Sequence, residues 1–193
     1  MMHLMDPIVP LDAPRPVKLT VEEFRALDLA GALARRRHAE LIGGTIVEMS
    51  PQQSRHALVN TRLAFAFDQA IRHRHLDLAT MIGPTVALPP HDAPEPDIVI
   101  AHLPVRDGYL AHADVALLAE VSDTTLRHDL STKRDLYAAA SIPELWVIDV
   151  RSAIVHQFWA PQDGVFTQAR SCPLSGPLDS ATLTLTIDGT GIV

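Results

Sequence analysis

Two residues of this chain carry charge where charge is expensive. Glu120 closes an otherwise apolar run, Val115-Ala-Leu-Leu-Ala119, and Lys133 follows thirteen positions later on what reads as the inward face of a helix. Burying a lone carboxylate or ammonium is strongly unfavourable unless the group is paired or holds a metal. Both placements fall in one stretch, Asp97 to Asp149, which ends in a second apolar run, Leu145-Trp-Val-Ile148. A metal-dependent hydrolytic site would account for both.

Strand alternation decides which side chains share a face. Glu120 lies with Ala116 and Leu118, and Asp97 lies with Val99 and Ala101. If the two runs are neighbouring strands, both carboxylates approach a single point. Asp97 also has a plain explanation, since Pro-Asp before a strand is common turn chemistry. Glu120 has one too, a buried salt bridge to Arg127 or Lys133. In the helix that follows, Leu126, Leu130, Lys133, Tyr137 and Ala140 recur at intervals of 4, 3, 4 and 3, which is one helical stripe. The alternative for Lys133 is a surface pair with Asp129 at i,i+4. Taken alone, Glu40 is an ordinary strand-end charge and His56 an ordinary solvated histidine.

The elements that must position these residues read as follows. Residues 1–16 contain four prolines and no periodicity, so an extended N-terminal arm is expected, followed by a single domain over 17–193. Thr20-Val-Glu-Glu23 is a capping-box pattern that opens a helix through about Leu27. A second helical piece is expected from Leu29 to about Arg37. Ala39-Glu-Leu-Ile42 and Thr45-Ile-Val-Glu-Met49 flank Gly43-Gly44 and read as a β-hairpin. A long helix is expected from Ser50 to about His73, packing with Leu58, Leu63, Phe65, Phe67 and Ile71. Strand-like runs follow at Leu76–Ile82, Thr85–Leu88, Asp97–Ala101 and Val115–Glu120. A helix from about Asp129 to Ala140 comes next, then strands at Glu144–Val150, Ile154–Trp159, Val165–Arg170 and Thr182–Ile187. One α/β domain with a mixed sheet results.

Composition narrows the function classes. With 193 residues, 47% hydrophobic and 20% charged, the chain suits one globular domain with a sizeable core. No apolar run approaches the roughly 18 residues of a membrane span, and the opening residues lack a signal-peptide pattern. The single cysteine, Cys172, excludes an intrachain disulfide and a thiolate zinc site. A cytoplasmic location is therefore expected. The net charge of −7 weighs against a dedicated nucleic-acid-binding domain, but clustered carboxylates attract divalent cations. His73 and His75 fall at the expected helix end, where cations suit the helix dipole.

Several motifs, taken in order, resemble one family. They are Pro96-Asp97-Ile-Val-Ile, Ala119-Glu120-Val-Ser-Asp-Thr-Thr-Leu126, Asp129, Lys133, and Leu136-Tyr-Ala-Ala-Ala-Ser-Ile-Pro-Glu-Leu-Trp-Val-Ile-Asp149. Upstream, Leu19-Thr-Val-Glu-Glu-Phe24, Ala39-Glu-Leu-Ile-Gly-Gly44, Glu48-Met-Ser-Pro51 and Arg55-His56 follow the same pattern. Together they resemble the Uma family of restriction-endonuclease-like bacterial proteins, within the PD-(D/E)XK nuclease superfamily, over about residues 18–160. The resemblance implies a restriction-endonuclease-like mixed β-sheet core flanked by helices. It implies that Asp97, Glu120 and Glu40 are metal-binding acids, and that Lys133 is the catalytic lysine. The superfamily's common lysine position, two residues after the second acid, is Ser122 here, so the family's lysine would come from the following helix. His56 and Tyr137 match family positions and would support the site. Ser141 stands where the family usually has glycine.

The implied activity is Mg²⁺- or Mn²⁺-dependent hydrolysis of DNA phosphodiester bonds, from a hard oxygen site of two or three carboxylates with waters. The second reading is a non-catalytic nucleic-acid-binding or protein-interaction module on an inactive nuclease fold, because fold does not establish function. A third is hydrolysis of another phosphoester, such as RNA. A homodimer could supply a composite groove for substrate.

Overall fold

The computed structural model describes residues 16–36, 38–49 and 51–193, so the expected arm lies almost wholly outside the described residues. Helix α1 (Val21–Leu29) opens with the expected capping box. Thr20 Oγ1 accepts from the Glu23 backbone N–H, and the Glu23 carboxylate accepts from the Thr20 N–H at 2.8 Å. The helix expected over Leu29–Arg37 is replaced by turns, with Arg37 itself outside the described residues. The reason is Gly31, at φ +74°, where the Ala32 and Gly31 N–H groups turn back to Leu27 O and Asp28 O. That is a Schellman ending, which terminates a helix.

Strands β1 (Ala39–Ile42) and β2 (Thr45–Glu48) form the hairpin, with Gly43 and Gly44 at φ +56° and +79°. A Cβ on Gly44 would stand 2.5 Å from Lys18 Cβ, so space as well as conformation requires glycine there. Helix α2 (Ser54–His73) begins four residues later than expected and presents Val59, Leu63, Phe67 and Ile71 to the sheet. Leu58 and Phe65, expected on that face, are exposed instead. The buried residues recur every fourth position, and Leu58 and Phe65 fall off that stripe.

The remaining strands are β3 (Leu78–Ile82), β4 (Val86–Ala87), β5 (Ile98–His102), β6 (Leu110–Ala111) and β7 (Val115–Ser122). Then come a helical turn α3 (Leu126–His128), a π-helical stretch Asp129–Lys133 and helix α4 (Arg134–Ala139). The expected continuous helix therefore starts earlier and is widened in its middle. The chain finishes with β8 (Glu144–Asp149), β9 (Ile154–Gln162), β10 (Val165–Pro173) and a small pair, β11 (Pro177–Asp179) with β12 (Thr186–Asp188). The last expected strand, Thr182–Ile187, is thus shorter and later than its sequence suggests.

Six strands form one mixed sheet in the order β10-β9-β8-β7-β5-β3. Only β7 and β8 pair in parallel within it. They are joined by the α3–α4 segment as a βαβ unit, and both are apolar because both faces are covered. On one face α2 packs against Ile98, Ile100, Trp146 and Ile148, with the Phe67 and Trp146 rings 5.2 Å apart. On the other, Tyr137 and Ile142 meet Val99, Leu118, Leu145 and Val147. A third cluster joins α1 to the hairpin through Phe24, Leu41 and Ala93. His73 and His75 are solvent-exposed at the end of α2. Among the described residues no helix is long and apolar enough to cross a membrane.

Ser141 sits at φ +57° just after α4, in the left-handed region that glycine occupies without steric penalty. Ser141→Gly should therefore stabilise the fold by about 1 kcal/mol. Thermal melting should show a rise of roughly 2–4 °C for a chain of this size, and an unchanged or lower midpoint would refute the assignment of strain there.

Candidate active site

The pairing of β5 with β7 places Ile98 opposite Ala119. Continuing that register by one residue puts Asp97 opposite Glu120, so two carboxylates meet at one end of adjacent strands. Asp97 is held from three directions. Its Oδ2 accepts from the Val121 N–H at 2.8 Å and lies 3.1 Å from His56 Nε2, while Oδ1 accepts from Gln52 Nε2 at 3.1 Å. His56 comes from the first turn of α2 and Gln52 from just before it.

Lys133 lies in the π-helical stretch and is buried, with Nζ 3.2 Å from Glu120 Oε1 and 3.5 Å from Glu40 Oε1. The surface pairing with Asp129 is therefore excluded. Asp129 turns inward instead and accepts from Ser122 Oγ at 2.5 Å and Thr125 Oγ1 at 2.7 Å. Ser122 thus anchors the helical segment that carries Lys133. Four residues beyond Lys133, the Tyr137 hydroxyl donates to Glu120 Oε1 at 2.6 Å. Glu40 arrives from the hairpin, and its Oε1 also accepts from the Glu95 N–H at 3.2 Å.

Asp97, Glu120, Glu40, His56 and Lys133 line one cleft of about 320 Å³, whereas Tyr137 lies beneath it and acts on Glu120. Sequence reasoning missed other lining residues, among them His38, Gln52, Glu95 and Asp123. It also misread Asp129, which lines the cleft too. The sequence Glu95-Pro-Asp97 held a signal, because a second acid stands two residues before the first.

Electrostatics in the cleft are unbalanced. Six acids, Glu40, Glu95, Asp97, Glu120, Asp123 and Asp129, line it with one permanent cation, Lys133. Burial raises the Glu120 pKa, Asp97 and Asp129 add to the rise, and Lys133 and Tyr137 oppose it, leaving the group at about 8. Burial disfavours the Lys133 ammonium, but the charges of Glu120, Glu40, Asp129 and Asp97 outweigh it and raise its pKa. Burial likewise works against the charged His56 ring, and the Asp97 carboxylate more than offsets it, so that pKa is also raised. Burial and the Glu40 charge raise Glu95. Among the described residues no three His, Cys, Asp or Glu side chains form a ready-made metal cage. The excess of hard carboxylate oxygens nevertheless suits Mg²⁺, which takes only one or two protein carboxylates and keeps several waters.

No curated protein matches the chain. A solved structure described as "a putative nuclease belonging to DUF820", from Anabaena variabilis, is similar over 92% of this chain and 97% of its own, with a TM-score of 0.65 and 14% identity. At that identity the likeness establishes the fold alone, a mixed sheet flanked by helices. The model of the Uma2 family, whose description is "Putative restriction endonuclease", matches residues 21–190. With nearly the whole described chain inside that match, the protein belongs to the Uma2 family.

Proposed function

We propose that the protein is a Mg²⁺- or Mn²⁺-dependent endonuclease that hydrolyses DNA phosphodiester bonds. One observation carries the reading: Asp97, Glu120 and Lys133 converge on a single cleft whose carboxylates outnumber its cations. Asp97 and Glu120 would hold the metal, with Glu40 completing the site. When bound, the divalent ion would make water a better nucleophile and offset charge on a phosphodiester oxygen.

The side chains divide the remaining work. His56 and Gln52 orient Asp97, and Tyr137 fixes Glu120, so neither carboxylate must reorganise during the reaction. Lys133, immobilised between Glu40 and Glu120, presents a fixed positive charge where charge develops on phosphorus, which is worth most in a dry, preorganised site. Water adds to phosphorus in line and one P–O ester bond breaks, leaving a phosphate on one strand end and a hydroxyl on the other. A second reading, a binding module on the same scaffold, draws on the internal pairing of Lys133 and the net charge of −7.

Calorimetry separates the two. Mg²⁺ or Mn²⁺ should bind the wild type and lose affinity in Asp97→Ala and in Glu120→Ala. Absence of binding at millimolar metal would favour the binding module. Lys133→Ala should keep the metal yet lower plasmid cleavage by roughly 10²-fold or more; cleavage at the wild-type rate would remove its catalytic role.

The raised pKa of Glu120 has two pH consequences. A proton competes with the metal, so affinity should increase as pH rises through about 8. Stability should move the other way. A carboxyl whose folded pKa lies above its unfolded value stabilises the fold below the unfolded pKa, and that contribution is lost as pH rises through the folded pKa. Glutamine mimics the neutral form. Metal-free Glu120→Gln should therefore melt close to the wild type near pH 5 and several degrees higher near pH 9; a difference independent of pH would contradict this.

A further inference from the structure

The proposed reaction places a polyanion over an acidic cleft in a chain of net charge −7, so the means of holding it must be local. Three arginines come to the end of the sheet where the parallel strands β7 and β8 finish side by side, the end at which open α/β sheets bind ligands. Arg55 stands next to His56 in the first turn of α2 and donates one Nη2 hydrogen bond to Val150 O at 3.0 Å. Val150 in turn donates its N–H to Ser122 O, which ties that carbonyl to the end of β7. Arg151 is the next residue, with Nε 2.9 Å from an oxygen of Asp123, which itself lines the cleft. Its side chain is 65% exposed. Arg127 follows the cleft residues Thr124 and Thr125, is exposed, and makes no ion pair among the described residues.

The bonds to Val150 and Asp123 fix the direction of two guanidinium groups and use only part of their donor capacity. A guanidinium has five N–H donors in a planar fork suited to phosphate oxygens. Other arginines are spent differently. Arg72 is paired with Asp68, and it lies 17 residues along α2 from Arg55, about 26 Å at 1.5 Å per residue. Arg134 is paired with its neighbour Asp135.

We propose that Arg55, Arg127 and Arg151 form a phosphate grip that seats the backbone of duplex DNA across the mouth of the cleft. The inference rests on the nuclease reading for its substrate, and it assigns these residues to positioning rather than to catalysis. Phosphate contacts of this kind fix register without reading sequence.

The test is fluorescence anisotropy with a short labelled DNA duplex, in Ca²⁺ rather than Mg²⁺, across a salt series. Arg127→Ala and Arg151→Ala should each weaken binding several-fold and reduce the slope of log affinity against log salt by about one. Arg127→Lys should restore the slope, and Arg72→Ala should leave both quantities unchanged. Among the described residues Arg127 has no ion pair to lose, so its variants carry the test if Arg55→Ala fails to fold. Wild-type affinity and slope in the Arg127 and Arg151 variants would overturn the proposal. An equal loss in Arg72→Ala, or no binding by the wild type at low salt, would do the same. Failure of the nuclease reading looks different: DNA held through these arginines but uncleaved with Mg²⁺ or Mn²⁺. Cleavage with an unchanged KM in the arginine variants would retire the grip and leave the nuclease standing.

Discussion

The architecture depends on one buried ammonium. Lys133 has carboxylates of two separate units within 3.2 and 3.5 Å, Glu120 on the central strand and Glu40 on the hairpin, and it reaches them from the helical segment between β7 and β8. Neither carboxylate could stay buried and charged alone, and the lysine could not stay buried alone. Sheet, hairpin and helical segment must therefore come together for any of the three charges to be tolerated. A buried ionic cluster contributes little net stability, because desolvation consumes most of the Coulombic gain, and removing the ammonium, which would leave two buried acids without a cation, is costly. Its effect is to specify how the units dock.

The same cluster explains why much of the site was legible in the sequence. Charge inside an apolar run is a strong signal, since burying it needs compensation, and Glu120 and Lys133 gave that signal directly. The helical stripe placed Lys133 inward, and the structure has it there, although the helix itself is interrupted by π-helical geometry. The capping box at Thr20 and the Gly43-Gly44 hairpin were readable because each rests on local hydrogen bonding or backbone freedom. Asp97 was ambiguous by pattern alone, and its partners His56 and Gln52 are more than 40 positions away in the chain.

What was not legible depends on tertiary context. Asp129 offered an i,i+4 spacing to Lys133 that suggested a surface pair, but burial of both side chains redirected each to a different partner. Leu58 and Phe65 suggested a packing face by hydrophobicity, whereas the sheet selected the stripe through Val59, Leu63 and Phe67. The absence of a helix after Leu29 could have been read from Gly31, whose position fits a C-terminal cap better than a helix interior. Composition gave a whole-chain charge but could not show that Arg55, Arg127 and Arg151 gather at one end of the sheet, because that depends on how β7, β8 and α2 are arranged.

A lysine on the same strand as an acid would rise and fall with it. Here they belong to elements of unequal robustness. Asp97 and Glu120 flank the most deeply buried part of the sheet, while Lys133 rides on a short segment of one helical turn, a π-helical stretch and a six-residue helix. Short helical units of this kind open by themselves more readily than core strands. A fluctuation confined to Leu126–Ala139 would withdraw the ammonium and leave the two acids in register. This arrangement thereby makes Lys133 a separable component whose presence is set by local rather than global unfolding, a difference visible in amide hydrogen exchange.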